Sequence, residues 1–236
     1  MAATPCGAAP VSPREVLLVD GPDPRGVATL TLDRPAVKNA LSIQLRDEIA
    51  DALDELATDD ALKVVVITGA GDAFCSGFDL KEFAVADPDF QARLWASSDR
   101  YHRTVLQFPL PTLAAVDGAA LAGGFDLAVM CDLRVASDRA HFAHPEVTFG
   151  EIVYAPLHDL VGGAVARELC FTGRDVAADE AKQLGLVSSV VAPAGLAAEV
   201  DRLTDLMVRA PRSVLVSTKA KALRRARIDA GRTLDL

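Results

Sequence analysis

The sequence predicts a mixed α/β core followed by a helical tail, and three observations carry that expectation. KVVVIT over 63–68 is a continuous β-branched run, the pattern of a strand covered on both faces. Shorter β-type runs lie on either side of it, separated by glycine-rich turns and helical periods. Beyond Ala164 the pattern turns helical.

Residues 16–19 and 27–32 are β-type runs joined by the turn-rich DGPDPRG, which predicts a hairpin. After the loop RPAVKNAL, Ser42 is placed to cap a helix whose apolar face is Leu45, Ile49, Leu53 and Leu56, with Asp47 and Glu48 near its positive end. The strand over 63–68 breaks at Gly69-Ala70-Gly71, which completes a β-β-α-β rhythm. That rhythm returns less cleanly as a strand over 112–116, a glycine-rich turn over 118–124, a short helix over 125–130 and a strand over 133–136. The tail divides into helices over 177–184, closed by Gly185, then 196–209, then 212–227 after Pro211. Three prolines and no apolar period before Glu15 predict a loose N-terminal tail over 1–14.

Composition narrows the function classes. With 236 residues, 50% of them apolar and 24% charged, the chain has the balance of a soluble globular protein. A formal charge of -9, from 33 acidic against 24 basic residues, gives no cationic field for a phosphate backbone, so nucleic acid is not an expected partner. Cys6, Cys75, Cys131 and Cys170 form neither a CxxC pair nor a metal-ligand spacing, and read as thiols in a reducing compartment. No secretory leader pattern and no membrane-length apolar run is present, so a cytoplasmic protein without a membrane partner is expected.

Several chemistries fall away on spacing. Gly69-Ala70-Gly71-Asp72-Ala73-Phe74 lacks the third glycine of a dinucleotide fingerprint, and no GxxxxGK[ST] occurs. His144-Pro145-Glu146 matches the H-x-E of a zinc deaminase, but no PCxxC follows. Ser42, Ser76 and Ser188 stand in no G-x-S-x-G elbow. What remains is a pair of glycine-linked turns that follow strands, FCSGFDL over 74–80 and GAALAGGFD over 118–126. Backbone N–H groups collect unpaired where a strand meets the first turn of a helix, and glycine lets a ligand approach them. Two such turns can aim two donors at one oxygen; alternatively, Gly123 and Gly124 serve helix packing and Ser76 is a turn residue. Asp126 lies three residues after Gly123, either on the same side of the helix or simply as an N-terminal charge. Glu146 sits in HFAHPEVTFG, which is apolar for an exposed loop, although a surface glutamate is the default. Two donors and two carboxyls together suit chemistry beside a carbonyl, with an enolate stabilised and protons or water moved.

The ordered segments RPAVKNALS, AFCSGFDLKEF, PTLAAVDGAALAGGFDLAVMCDLRVAS, FAHPEVTFG and ELCFTGRDVAADEAKQLGLVSSVV resemble the enoyl-CoA hydratase/isomerase (crotonase) superfamily over about residues 15–210. The resemblance implies an α/β fold, a spiral of repeated ββα units over 15–192, with a helical C-terminal region over 193–236 that serves oligomerisation and site cover. It implies an oxyanion hole from the backbone N–H groups of Ser76 and Gly123, and acids at Asp126 and Glu146. It places Ala36, Val37 and Lys38, with Gly77, Phe78, Asp79 and Leu80, around the coenzyme A of an acyl-CoA thioester. No metal or redox cofactor is implied, and a homotrimer or hexamer is expected. The implied activity is hydration of a 2-enoyl-CoA; isomerisation by Glu146 alone, or acyl-CoA binding with little turnover, are the alternatives.

Two departures from the family pattern stand out. Asp126 replaces a glutamate and is one methylene shorter, and GEIVYAP over 150–156 is about four residues shorter than the family's glycine-rich turn, so a reshaped acyl cavity is expected. The covering last helix is expected to be short or absent. Lys219, Lys221, Arg224, Arg225 and Arg227 are a candidate phosphate-facing cluster or a solvated helix face, and packing roles are expected for His141, His144 and His158.

Overall fold

The computed structural model describes residues 14–236. Apart from Arg14, the tail expected over 1–14 lies outside the described residues, and Cys6 with it.

Two sheets grow side by side. The larger has six strands in the order β1 (Leu17–Asp20), β2 (Val27–Leu32), β3 (Val64–Gly69), β5 (Thr112–Val116), β7 (Leu133–Ser137) and β10 (Ser189–Val191). β1 and β2 form the expected antiparallel hairpin, and the other pairings are parallel. The smaller sheet runs β4 (Ala73–Cys75), β6 (Ala119–Leu121), β8 (His141–Ala143) and β9 (Val176–Ala177), with β4, β6 and β8 mutually parallel. Each strand β3, β5 and β7 of the large sheet is thus followed at once by a strand of the small one, and then by helical structure. This is the ββα spiral that the resemblance implied.

β3 is covered on both faces, as its β-branched run requires. Val65 and Ile67 join the main core, with Leu45, Ile49 and Leu53 of α1 (Ile43–Ala57). Val66 faces a second cluster with Leu113, Val135 and Leu196, the last from α7 (Leu196–Met207). Ser42 caps α1 by accepting the Leu45 N–H, as expected. The remaining helices are α2 (Leu80–Phe83), α3 (Pro88–Gln107), α4 (Gly123–Met130), α5 (Ala155–Thr172), α6 (Ala178–Gln183) and α8 (Arg212–Ala226). α8 is tied to the start of β7 by Lys219, whose ammonium lies 2.6 and 2.7 Å from the two oxygens of Asp132. That buried pair removes Lys219 from the proposed phosphate-facing cluster.

Candidate active site

The site follows from the small sheet. Adjacent parallel strands lie about 4.8 Å apart, so the turns leaving β4, β6 and β8 emerge as neighbours. The first carries Ser76–Phe78, the second Ala122–Gly123, and the third His144–Glu146. One cavity of about 560 Å³ opens over all three; Phe78, Phe83, Trp95, Ile152 and Val153 give it an apolar wall.

The backbone donors differ from the expectation at one position. The Ser76 N–H donates to the Lys38 carbonyl at 2.9 Å, so it is already taken, and the assignment of Ser76 to the hole is corrected. Two residues on, Leu41 bridges Phe78 in parallel fashion: its N–H donates to Gly77 O at 2.8 Å and its carbonyl accepts the Asp79 N–H at 3.2 Å. In a planar trans peptide the N–H opposes the C=O, so the Phe78 N–H projects away from Leu41. It has no acceptor among the described residues, and neither has the Gly123 N–H at the start of α4. The backbones at 77 and 123 are in close approach: a Cβ on Gly77 (φ +93°) would come within 3.1 Å of the Gly123 nitrogen, and one on Gly123 within 2.9 Å of the Phe78 ring. Glycine at both places is a steric requirement.

The surroundings hold Phe78 still. Its ring stacks on Phe83 at 5.8 Å, and the buried Arg46 guanidinium lies 4.5 Å from its centroid while donating to Leu41 O. Asn39, fully buried, donates to the carbonyls of Ala70, Ala73 and Phe74 and so fixes the loop whose Lys38 carbonyl receives Ser76. Neither Arg46 nor Asn39 was singled out from the sequence. Asn39 stands inside the RPAVKNAL segment, but nothing local marks its three acceptors.

Asp126 and Glu146 meet at the cavity floor and are 5% and 8% exposed. Asp126 Oδ1 and Glu146 Oε2 have no hydrogen-bond partner among the described residues. Burial, reinforced by the Glu146 charge and opposed by His144, pushes the Asp126 carboxyl up to about 8. Between them stands His144, expected only to pack: its Nδ1 is 2.9 Å from Glu146 Oε1 and 3.8 Å from Asp126 Oδ1. Burial disfavours its charge, but the bond to Glu146 and the Asp126 charge outweigh this and raise its pKa. His141, by contrast, pairs with Asp175 at the surface, and His158 packs on the Tyr154 ring.

Of the residues placed around coenzyme A, Phe78 and Leu80 line the cavity. Lys38 extends to Asp72, with Nζ 2.5 Å from Oδ2. Asp79 is occupied structurally, capping α2 and pairing with Arg34 at 3.0 Å. Ala36 and Val37 lie in the short helical turn Pro35–Val37 beside this loop. The shortened 150–156 segment contributes Gly150, Glu151, Ile152 and Val153 to the wall, and the turn Thr233–Asp235 contributes Thr233 and Leu234.

A spiral of ββα units with unpaired amides and buried carboxyls gathered at neighbouring turns defines an acyl-transforming site of the crotonase type. A family model described as enoyl-CoA hydratase/isomerase matches residues 23–234, and the chain belongs to that family. The Mycobacterium bovis protein described as "Probable enoyl-CoA hydratase echA8" is 37% identical over 217 residues, covering 90% of this chain and 80% of that one. The crystal structure of an enoyl-CoA hydratase from Mycobacterium smegmatis superposes with a TM-score of 0.83 at 38% identity, over 91% of this chain and 85% of that one. A Thermobifida fusca structure, a putative enoyl-CoA hydratase in complex with acetoacetyl-CoA, superposes with a TM-score of 0.80 at 34% identity, over 91% and 88% of the two chains.

Proposed function

We propose that the chain hydrates a 2-enoyl-CoA thioester. The carrying observation is the convergence on one cavity of two unpaired amides, Phe78 and Gly123, with two buried carboxyls, Asp126 and Glu146. Amides so placed would accept the negative charge that develops on the thioester oxygen, and each such donor is worth about 2.7–4 kcal/mol of barrier. His144 stands between the two carboxyls, with its Nδ1 2.9 Å from Glu146 Oε1 and 3.8 Å from Asp126 Oδ1. One takes a proton from water as its oxygen attacks the β-carbon; the electron pair moves to the thioester oxygen, and the other carboxyl protonates the α-carbon as the enolate collapses. The sum is addition of water, and no group beyond the coenzyme A of the substrate enters the scheme.

The relatives named as hydratases and the neighbour holding acetoacetyl-CoA support an acyl-CoA substrate. A homotrimer or hexamer fits the exposed Phe171, Leu206 and Val214, and light scattering decides it: a mass near one chain contradicts the assembly. The described cysteines, Cys75, Cys131 and Cys170, are buried and unpaired, which supports a reducing, cytoplasmic setting. No helix among the described residues is long and apolar enough to cross a membrane.

The test follows the loss of the conjugated-thioester absorbance of a 2-enoyl-CoA. The intact protein should consume it, and Glu146→Gln should not, while still binding the ester. Turnover unchanged by Glu146→Gln removes that residue from the reaction, and binding without turnover in the intact protein leaves an acyl-CoA-binding relative.

A further inference from the structure

We propose that His144 is a positioning residue of the acid pair: its Nδ1–H holds the Glu146 carboxylate in place, and its imidazolium charge lets two buried carboxyls share one chamber. The proposal rests on the acid–base reading above and assigns a third residue to that site.

The geometry is specific. His144 is 1% exposed and lies in the turn after β8, just before the helical turn Pro145–Thr148, and is flanked by the Phe125 ring at 4.7 Å. Its Nδ1 faces a carboxylate oxygen, which can only accept while ionised, so Nδ1 carries the hydrogen. This bond engages Oε1 of Glu146 and leaves Oε2 as the oxygen without a partner. Asp126 is engaged less closely, at 3.8 Å, and its Oδ1 also has no hydrogen-bond partner. The pair therefore keeps two buried oxygens without partners beside a single ring, which hydrogen-bonds Glu146 alone.

The charge is equally local. The titratable groups that sense this cluster are Asp126 from α4, Glu146 from the same turn and the Cys170 thiol from α5; Cys75 of β4 and Tyr101 of α3 sense Asp126. Among the described residues no lysine or arginine pairs with either carboxyl, so His144 is their cationic partner. Its Nε2 is buried without a partner, so a proton there meets no acceptor among the described residues and the cation would be held through Nδ1 alone. Burial disfavours a carboxylate in this chamber, and an opposite charge within about 4–6 Å relieves this.

Two measurements test the proposal. In the unliganded protein the imidazole of His144 is followed by NMR across pH, its signal assigned by its loss in His144→Asn. It should stay protonated above the ordinary histidine range, and Glu146→Gln should lower its titration by about 1 pH unit or more. An imidazole neutral from pH 5 upward, or one indifferent to Glu146→Gln, overturns the proposal. In the 2-enoyl-CoA assay, His144→Leu should lower kcat about 10²-fold with KM within about twofold, the scale expected for a misplaced acid. The acid limb of its pH profile should move upward, because the site loses the cation beside its acids. His144→Asn, which keeps an N–H near Nδ1 without the charge, should recover most of kcat but not the limb. A His144→Leu enzyme with unaltered kcat and limb overturns the proposal, as does a His144→Asn enzyme as slow as the leucine variant. The imidazole titration needs no turnover. An inactive wild-type protein therefore counts against the hydratase reading, while the NMR result still decides for or against His144.

Discussion

The Ser76 amide and the Lys38 carbonyl form a 2.9 Å hydrogen bond, and this one contact leaves the Phe78 amide, not that of Ser76, without an acceptor among the described residues. With Ser76 taken up by the 34–41 loop, the chain turns through Gly77 and offers the Phe78 N–H beside that of Gly123. The loop thus shapes the cavity without lining it: Asn39 fixes the loop, and the loop in turn fixes the turn after β4.

Gly123→Ala tests that close approach. The added Cβ would stand 2.9 Å from the Phe78 ring, so the two donors must separate. A kcat loss of about 10²-fold with a small change in KM is expected, on the scale of one misplaced donor. Steady-state kinetics on a variant shown to be folded by circular dichroism checks it.

Asp126→Asn separates two reactions. Hydration as proposed uses both carboxyls, whereas moving a double bond between 3-enoyl and 2-enoyl positions can run on one. Hydration should fall at least tenfold further than isomerisation, with both assays run on the same preparation. Equal losses would deny Asp126 its part in handling water.

The same variant should be more stable than the parent in a pH-dependent way. The Asp126 carboxyl is raised, chiefly by burial, from 3.8 to about 8 in the folded protein. A raised acid adds stability that is fully present below pH 4 and is lost as pH climbs toward 8, since the unfolded carboxyl ionises first. Asparagine does not ionise. The advantage of Asp126→Asn should therefore be near zero at pH 4, grow through neutrality and level off above pH 8, reaching several kcal/mol at about 1.4 kcal/mol for each pH unit between the two values. Urea denaturation at pH 5 and pH 8 measures it, and a constant difference would contradict it.

Lys219→Met should loosen α8 without touching the cavity. Asp132, which also accepts the Thr112 N–H at 2.8 Å, would lose its buried cation. Because Asp132 is about a quarter exposed, the loss is smaller than for a fully buried pair, about 2 kcal/mol. Thermal unfolding checks this, and kcat for each folded subunit should hold.

Legibility in the sequence tracked the length of each signal. β2, β3 and β5 and the apolar face of α1 were readable because four or more residues repeat a period there. β4, β6 and β8 are three residues each, too short to show alternation, although they are what align the site. α3 escaped notice because its buried face includes Ser97, Ser98 and His102, which blur the apolar period. α5 begins nine residues before the expected helical stretch, hidden by Pro156 and the non-helical Gly162. Gly123 and Asp126 stood out as candidates because strand, glycine turn and acid stand close together in the chain, whereas Glu146 took its role from the family resemblance, a surface glutamate being the default. Phe78 as donor did not stand out, since an amide has no side-chain signature and its freedom depends on which neighbour the Lys38 carbonyl accepts. His144 was hidden for a similar reason, because one of its two acids arrives from another turn.

The most direct test replaces single backbone amides by esters, exchanging N–H for O and leaving every side chain in place. An ester at residue 78 should lower kcat for 2-enoyl-CoA hydration by about 10²–10³-fold and return the carbonyl stretch of a bound acyl-CoA toward its value in water. An ester at residue 76 should leave that stretch polarised. The opposite pattern, with residue 78 indifferent and residue 76 decisive, would contradict the site described here.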